Sequence, residues 1–259
     1  MNILFVGDVV GQIGRSIVLN KLPLLKSKYQ IDFTIANLEN ATHGKGLSYK
    51  HYELLTRSGI DCVTMGNHFY RNKDVFTYAL KMDKLVRPYN LYKDAPNVGT
   101  RLFDCKGKKI RVTNLLGRAF MDLADKNPFD CLEDIISEEK KSDIHIVDFH
   151  AEATGEKMCL AKCFDGEVSA VIGTHTHVQT NDDRILYKGT GFISDAGMCG
   201  YYDGILGVCE EGVIRRTRTG LPSLFETPDE GRAMFNGIVL KFDDVSNKLI
   251  ETKKIYIVE

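Results

Sequence analysis

Asn2-Ile3-Leu4-Phe5-Val6-Gly7-Asp8 opens the chain with a short apolar run closed by a glycine and a carboxylate. The construction recurs twice. Phe33-Thr34-Ile35-Ala36 runs into Asn37-Leu38-Glu39-Asn40, and Asp61-Cys62-Val63-Thr64-Met65 runs into Gly66-Asn67-His68. Between these runs, apolar residues fall at helical spacing. Ile13 to Lys28 carries Ile17, Val18, Leu22 and Leu25, with Pro23 an expected kink or break, and Ser48 is placed to cap a helix reaching Ser58. Strand, loop and helix repeated three times imply an α/β fold with a largely parallel sheet and right-handed crossovers. Ligands of such sheets bind beyond the carboxyl ends of the strands, where these three runs turn polar.

Further strands are expected at Lys109 to Leu115, Ile144 to Phe149, Val168 to Ile172, Arg184 to Ile193, Gly237 to Phe242 and Leu249 to Ile257, and helices at Asn72 to Leu85 and Phe129 to Lys140. Arg87 to Thr100, with Pro88 and Pro96, reads as irregular, and Leu115 to Asn127 falls outside the alternation. The expectation is a single domain over 1–259, with a small cap or oligomerisation insertion around 70–130. Glu210 to Glu230, rich in Gly, Thr, Arg and Pro, reads as a long surface loop whose Arg215, Arg216 and Arg218 are solvated.

Composition narrows the function classes. Of 259 residues, 43% are hydrophobic and 27% charged, and 34 Lys and Arg face 35 Asp and Glu for a net charge of -1. That balance demands neither a membrane nor RNA as partner. No stretch approaches the roughly 20 apolar residues a membrane span needs. The N-terminus lacks a basic region and a small-residue cleavage site, so a cytoplasmic protein is expected. Seven cysteines, odd in number and without a CxxC, argue against a disulfide framework or zinc knuckle. Cys159 and Cys163, four apart, read as reduced thiols in or near the core.

The chemistry-bearing residues sit at the ends of the apolar runs. Ile172-Gly173-Thr174-His175-Thr176-His177 places two histidines at i and i+2, on one side of an extended segment, as a metal site or two adjacent sites require. In Met65-Gly66-Asn67-His68 a glycine permits a tight turn from which an amide oxygen and an imidazole emerge, and His68 is a candidate proton donor. Asp8 and Glu39 are strand-end carboxylates, and a carboxylate in Glu39's position can bridge two cations. Asp148-Phe149-His150-Ala151-Glu152 offers His150 as a ligand, with Asp148 and Glu152 as acceptors that orient neighbouring histidines. Each motif alone is matched by a plain turn or a surface charge. Five strand ends sharing one sheet edge are not. His43 lies beside one of these turns, while His51 and His145 read as surface or structural residues. Gly7-Asp8-Val9-Val10-Gly11-Gln12-Ile13-Gly14 lacks GxGxxG spacing, which disfavours a dinucleotide-binding dehydrogenase.

The ordered set Gly7-Asp8-Val9-Val10-Gly11, Asn37-Leu38-Glu39-Asn40-Ala41, Gly66-Asn67-His68, Asp148-Phe149-His150-Ala151-Glu152, Gly173-Thr174-His175-Thr176-His177 and Asp195-Ala196-Gly197-Met198 resembles the calcineurin-like metallophosphoesterases, and more closely their bacterial YmdB-type branch. The wider superfamily carries Asp-x-His at the first strand and a bridging Asp after the second, where this chain has Val10 and Glu39. The YmdB-type branch shares both changes, Asn40 standing in for the missing histidine. Phe69-Tyr70-Arg71, Gly155 and Cys199 depart from that branch without removing a ligand. The resemblance implies a four-layer α/β/β/α sandwich and two divalent metal ions, Fe or Mn before Zn. It implies Asp8, Glu39, Asn40, Asn67, His150, His175 and His177 as ligands with Glu39 bridging, His68 as the acid, and a homo-oligomer. The reaction implied is hydrolysis of a small phosphodiester or nucleotide, such as a cyclic nucleotide, by metal-activated hydroxide. A nucleotidase-like phosphomonoesterase or a non-catalytic nucleotide- or RNA-binding regulator are the alternatives.

Overall fold

The computed structural model describes residues 1–259. Its strands are β1 (Asn2–Val6), β2 (Asp8–Val9), β3 (Phe33–Asn37), β4 (Cys62–Thr64), β5 (Leu85–Val86), β6 (Thr100–Cys105), β7 (Lys108–Leu116), β8 (Ile144–His150), β9 (Ala170–Thr174), β10 (Arg184–Ile185), β11 (Gly191–Ile193), β12 (Met198–Tyr201), β13 (Ala233–Phe242) and β14 (Leu249–Val258). The helices are α1 (Gly11–Tyr29), α2 (Tyr49–Arg57), α3 (Asp74–Thr77), α4 (Pro128–Glu138), α5 (Thr154–Cys163) and α6 (Glu210–Thr219). One sheet has the order β2-β12-β13-β1-β3-β4-β5 with β14 on β13, and the other the order β10-β11-β9-β8-β7-β6. The runs β1-β3-β4-β5 and β7-β8-β9-β11 are parallel.

Period-two alternation decides what each face meets. Ile3 and Phe5 of β1, Phe33 and Ile35 of β3 and Cys62 of β4 pack between the sheets against Ile110, Val112, Ile144, Ile146, Ala170 and Ile172 of the second sheet. The intervening Leu4, Val6, Ala36 and Val63 face outward onto Ile17, Val18 and Leu22 of α1 and Tyr52 and Leu55 of α2. On the far side, Val147, Phe149, Val171 and Phe192 meet Leu132 of α4 and Leu160 and Ala161 of α5. The result is helix, sheet, sheet, helix: the four-layer sandwich.

Several expected elements differ. Asn72 to Leu85 is not one helix. It holds only the four residues of α3 and a 3₁₀ turn at Ala79–Lys81. The carbonyls of Ala79 and Met82 are taken by Asn97 Nδ2, and Leu85 is already a strand residue. The expected strand over Arg184 to Ile193 is the antiparallel pair β10 and β11, turned around Gly189. Glu210 to Thr219 is a helix, not a loop. Glu210 and Glu211 in its first turn and Arg216 and Arg218 in its last complement the helix dipole, and Gly220 closes it in the left-handed conformation. No residue of α6 is buried, so the apolar period that normally reveals a helix is missing. Cys159 and Cys163 lie exposed on α5 and not in the core, because their helix face turns outward. α1 continues through Pro23. The region around 70–130 holds β5, β6 and β7 and carries the chain from one sheet to the other. No helix is long and apolar enough to cross a membrane.

His145 lies on the outward face of β8, buried, with Nε2 2.9 Å from Thr113 Oγ1. Burial, with Arg111 adding to it, pushes its pKa down to about 3. Between pH 6.5 and 3 the unfolded chain therefore binds a proton that the folded chain refuses, and stability falls as pH falls through that window by up to about 1.4 kcal/mol per unit. Urea unfolding of wild type and His145→Gln at pH 7, 6, 5 and 4 should show a shallower decline for the variant. Parallel declines would assign the acid sensitivity to other groups.

Candidate metal centre

The apolar inter-sheet pattern turns polar at the carboxyl ends of the strands without changing parity. Asn37 follows Ile35, Asn114 follows Val112, Asp148 and His150 follow Ile146, and Thr174 follows Ile172. These side chains meet across the seam. Asn37 Nδ2 donates to Asp148 Oδ2 at 3.2 Å, and Asn114 Nδ2 donates to the Asp148 carbonyl at 3.3 Å. Thr174 Oγ1 donates to Asp148 Oδ1 at 2.7 Å and lies 2.9 Å from His150 Nδ1. The hydroxyl's hydrogen is engaged by Asp148, so His150 Nδ1 is the donor to it, and the lone pair of His150 sits on Nε2.

The other two histidines are oriented the same way. His175 Nε2 lies 3.1 Å from Glu152 Oε2, which leaves the lone pair on Nδ1. His177 Nδ1 lies 3.0 Å from the Leu206 carbonyl, which leaves it on Nε2. An oxygen behind each imidazole selects the tautomer, as around metal-binding histidines generally.

The freed lone pairs converge. His150 Nε2 lies 3.1 Å from His175 Nδ1, 2.9 Å from Asn67 Oδ1 and 3.2 Å from Glu39 Oε1. Ligand atoms of Glu39, His150 and His175 all fall within 4.8 Å of one another, a group able to hold a metal ion. Beside it, Asn40 Nδ2 is 3.1 Å from both Glu39 Oε1 and His177 Nε2. Asp8 is fully buried. Its Oδ2 accepts from the His175 amide at 3.1 Å, while Oδ1 has no partner. His68 lies alongside, its amide donating to Glu39 Oε2 at 2.9 Å and its Nδ1 2.6 Å from Asn40 Oδ1. All eight residues singled out in the sequence thus lie together.

Titration reflects this crowding of acceptors. Burial lifts Asp8 to about 7 against the pull of His177 and His150, with Asp195 and Glu39 adding to the rise. Burial opposes a charge on His150, yet Glu39, Asp8 and Asp148 outweigh it and raise the imidazole to about 9. Glu39 is held far below the carboxylate range, since His150 and His68 overcome its desolvation. Burial and the neighbouring His150 push His175 down to about 3, so it stays a neutral donor.

The local backbone departs from expectation in two ways. His175 and His177 do not extend from β9. Their φ values are 103° and 65°, and the bent segment is held by the Asp8 carboxylate on the His175 amide and by Asp195 Oδ2 on the Thr176 amide at 2.9 Å. Such a conformation, costly for a non-glycine residue, persists because surrounding bonds enforce it. Gly66 serves clearance more than turning: a Cβ there would lie 2.3 Å from both Glu39 Oε2 and His150 Nε2.

Sequence reasoning missed Lys157. Its side chain, fully buried on α5, donates to the Thr174 carbonyl at 2.9 Å and to Asp195 Oδ2 at 3.0 Å. Asp195 in turn anchors the Thr176 amide and, through Oδ1, the Gly197 amide at 2.8 Å. The only available signal was a lysine at an inward helical position shortly after His150.

Two facing sheets between helices, with imidazole, amide and carboxylate groups gathered on their common strand-end edge, define a metallophosphoesterase. The 5'-nucleotidase precursor of Thermus thermophilus shares this fold, with a TM-score of 0.57 at 11% identity over 100% of this chain and 54% of that one. The family described as YmdB-like protein matches residues 4–255, and the chain belongs to that family. It is 47% identical to a 2',3'-cyclic-nucleotide 2'-phosphodiesterase of Bacillus subtilis over 99% of this chain and 97% of the relative. The crystal structure of a novel phosphatase from Mycoplasma pneumoniae superposes with a TM-score of 0.94 at 43% identity, covering 100% of this chain and 93% of that one.

Removing Lys157 leaves the Asp195 charge buried and unpaired. Lys157→Met should cost about 3–5 kcal/mol in urea unfolding, and adding Asp195→Asn should recover part of that loss. A single variant as stable as wild type would show that the pair does not support the histidine segment.

Proposed function

We propose that the protein is a phosphodiesterase that holds two divalent metal ions and opens 2',3'-cyclic nucleotides. The observation that carries this reading is the set of converging lone pairs on Glu39, Asn67, His150 and His175 beside a buried, partnerless Asp8 oxygen. Acceptors that face one another at hydrogen-bond distance in a buried site call for a proton or a metal cation between them. In this reading Glu39, Asn67, His150 and His175 hold one ion. Asp8, Asn40 and His177 hold the other, with Glu39 shared. The mixed oxygen and nitrogen donors favour Fe or Mn, with Zn also suited. Bound there, such ions supply Lewis-acid stabilisation of phosphoryl charge and a nucleophile at neutral pH.

The chain's own residues do the rest. Two carboxylates against two divalent cations leave the site positive, which suits an anionic phosphodiester. The amide oxygen of Asn40 accepts from His68 Nδ1, so the imidazolium form carries its second proton on Nε2, from which it passes to the leaving oxygen. Burial lowers the His68 pKa by more than Glu39 raises it, and the anionic phosphate of a substrate pushes it back up. The 47% identical relative, named for the 2' bond, supports the substrate class. Cleavage there breaks P–O2', delivers the proton to O2' and leaves a 3'-phosphate.

Metal analysis alongside hydrolysis of bis-p-nitrophenyl phosphate tests the centre. About two ions per chain are expected, with cleavage abolished by EDTA and restored by Mn²⁺. Glu39→Gln should lose both metal and turnover while unfolding as cooperatively as wild type. Undiminished cleavage by metal-free protein would sink the proposal. His68→Ala should keep the metals and slow a cyclic nucleotide by about 10²–10⁴-fold, the usual range for general acid help, with a smaller loss on the activated aryl ester. Equal losses on the two substrates would remove the acid role from His68.

A further inference from the structure

The cavity over the metal centre holds about 490 Å³, ample for a nucleotide. One set of lining residues is the polar cluster already described. A second set comes from the 205–227 segment: Ile205, Leu206, Val208, Val213 and Phe225, with Thr227 beside them. None of these five side chains carries a hydrogen-bond donor or acceptor, so they have no part in binding metal or phosphate.

This apolar set is pinned in place. The Cys209 amide donates to the Glu226 carbonyl at 2.8 Å, and a Cβ on Gly212 would lie 2.1 Å from the Leu224 carbonyl oxygen, so α6 and the following irregular segment touch directly. Residue 227 closes over the glycine turns beneath it, since a Cβ on Gly44 would meet Thr227 at 2.7 Å. The Arg216 guanidinium of α6 lies 5.5 Å from the centre of the Phe225 ring, a cation–π contact that holds the aromatic side chain in place. That contact gives Arg216 a partner other than solvent. The Leu206 carbonyl that orients His177 joins the apolar set to the metal-binding set.

We infer that Phe225, backed by Arg216 and sharing the cavity lining with Leu206 and Val213, is the nucleobase-stacking subsite of this cavity. The inference rests on the phosphodiesterase reading. A 2',3'-cyclic nucleotide carries its anion at C2' and C3' and its base at C1' of one ribose, and the cavity offers the metal-ligand set and a mostly apolar set with one aromatic ring. Stacking on an aromatic ring reads a π-face and not a base edge. The subsite therefore accepts all four bases and grades them by stacking area, purines ahead of pyrimidines.

Steady-state kinetics of Phe225→Ala and Phe225→Tyr on 2',3'-cyclic AMP and on the base-free glycerol 1,2-cyclic phosphate test it. In Phe225→Ala the ratio of the two KM values, cyclic AMP over the glycerol compound, should rise about 5- to 140-fold, the range that base–aromatic stacking covers. Phe225→Tyr, which keeps the ring, should restore it. Equal KM changes on both substrates, or none, would overturn the subsite. If wild type opens neither compound, the phosphodiesterase reading falls by itself, and calorimetric binding of adenosine 3'-phosphate decides the subsite separately. Affinity reduced in Phe225→Ala and retained in Phe225→Tyr upholds it, and equal affinity in Phe225→Ala and wild type refutes it.

Discussion

Four acceptor atoms held face to face in a buried seam constrain this molecule more than any other feature. His150 Nε2 cannot sit about 3 Å from an imidazole nitrogen, an amide oxygen and a carboxylate oxygen unless something positive lies among them. The carboxylates of Glu39, Asp8 and Asp148 raise His150 to about 9 although it is fully buried. The same demand explains the oxygens behind each histidine. The Thr174–Asp148 relay, Glu152 and the Leu206 carbonyl each occupy the ring nitrogen that must not face the site. A cluster with no positive partner costs stability, and one filled by a divalent cation gains catalytic charge.

The sandwich places this cluster by parity. Inward positions of the parallel strands are apolar through most of their length and polar at their carboxyl ends, so the inter-sheet core merges into the site without a break. Rigid strands hold Asn37, Asp148, His150 and Thr174. The bent segment carrying His175 and His177 is held instead by buried charge, Asp195 with Lys157 beneath it. The cavity wall is a third kind of element, a helix with no buried residue and the irregular segment that follows it. Its side chains at the cavity are mostly apolar, unlike the polar residues at the strand ends.

The sequence alone determined the strand-loop-helix frame and the residues that bear chemistry. Apolar runs of period two, ended by Gly-Asp, Glu-Asn and Gly-Asn-His, are local features, and local periodicity is what strands and strand ends obey. The resemblance to metallophosphoesterases added the second sheet. Tertiary structure decided everything that depends on distant partners. The tautomer of His150 is set by a threonine 24 residues away, and the bend at His175 by Asp8, 167 residues away. Lys157 looked like any helix lysine until Asp195 was folded onto it. The failure of Asn72 to Leu85 as a helix comes from Asn97 taking its carbonyls, and the helix at Glu210 escaped notice because it buries nothing and so imprints no apolar period. Chemistry resides in side chains and is written residue by residue. The lone-pair directions, charge balances and clearances that make it a site arise only when strands far apart in the chain are brought within about 3 Å of one another.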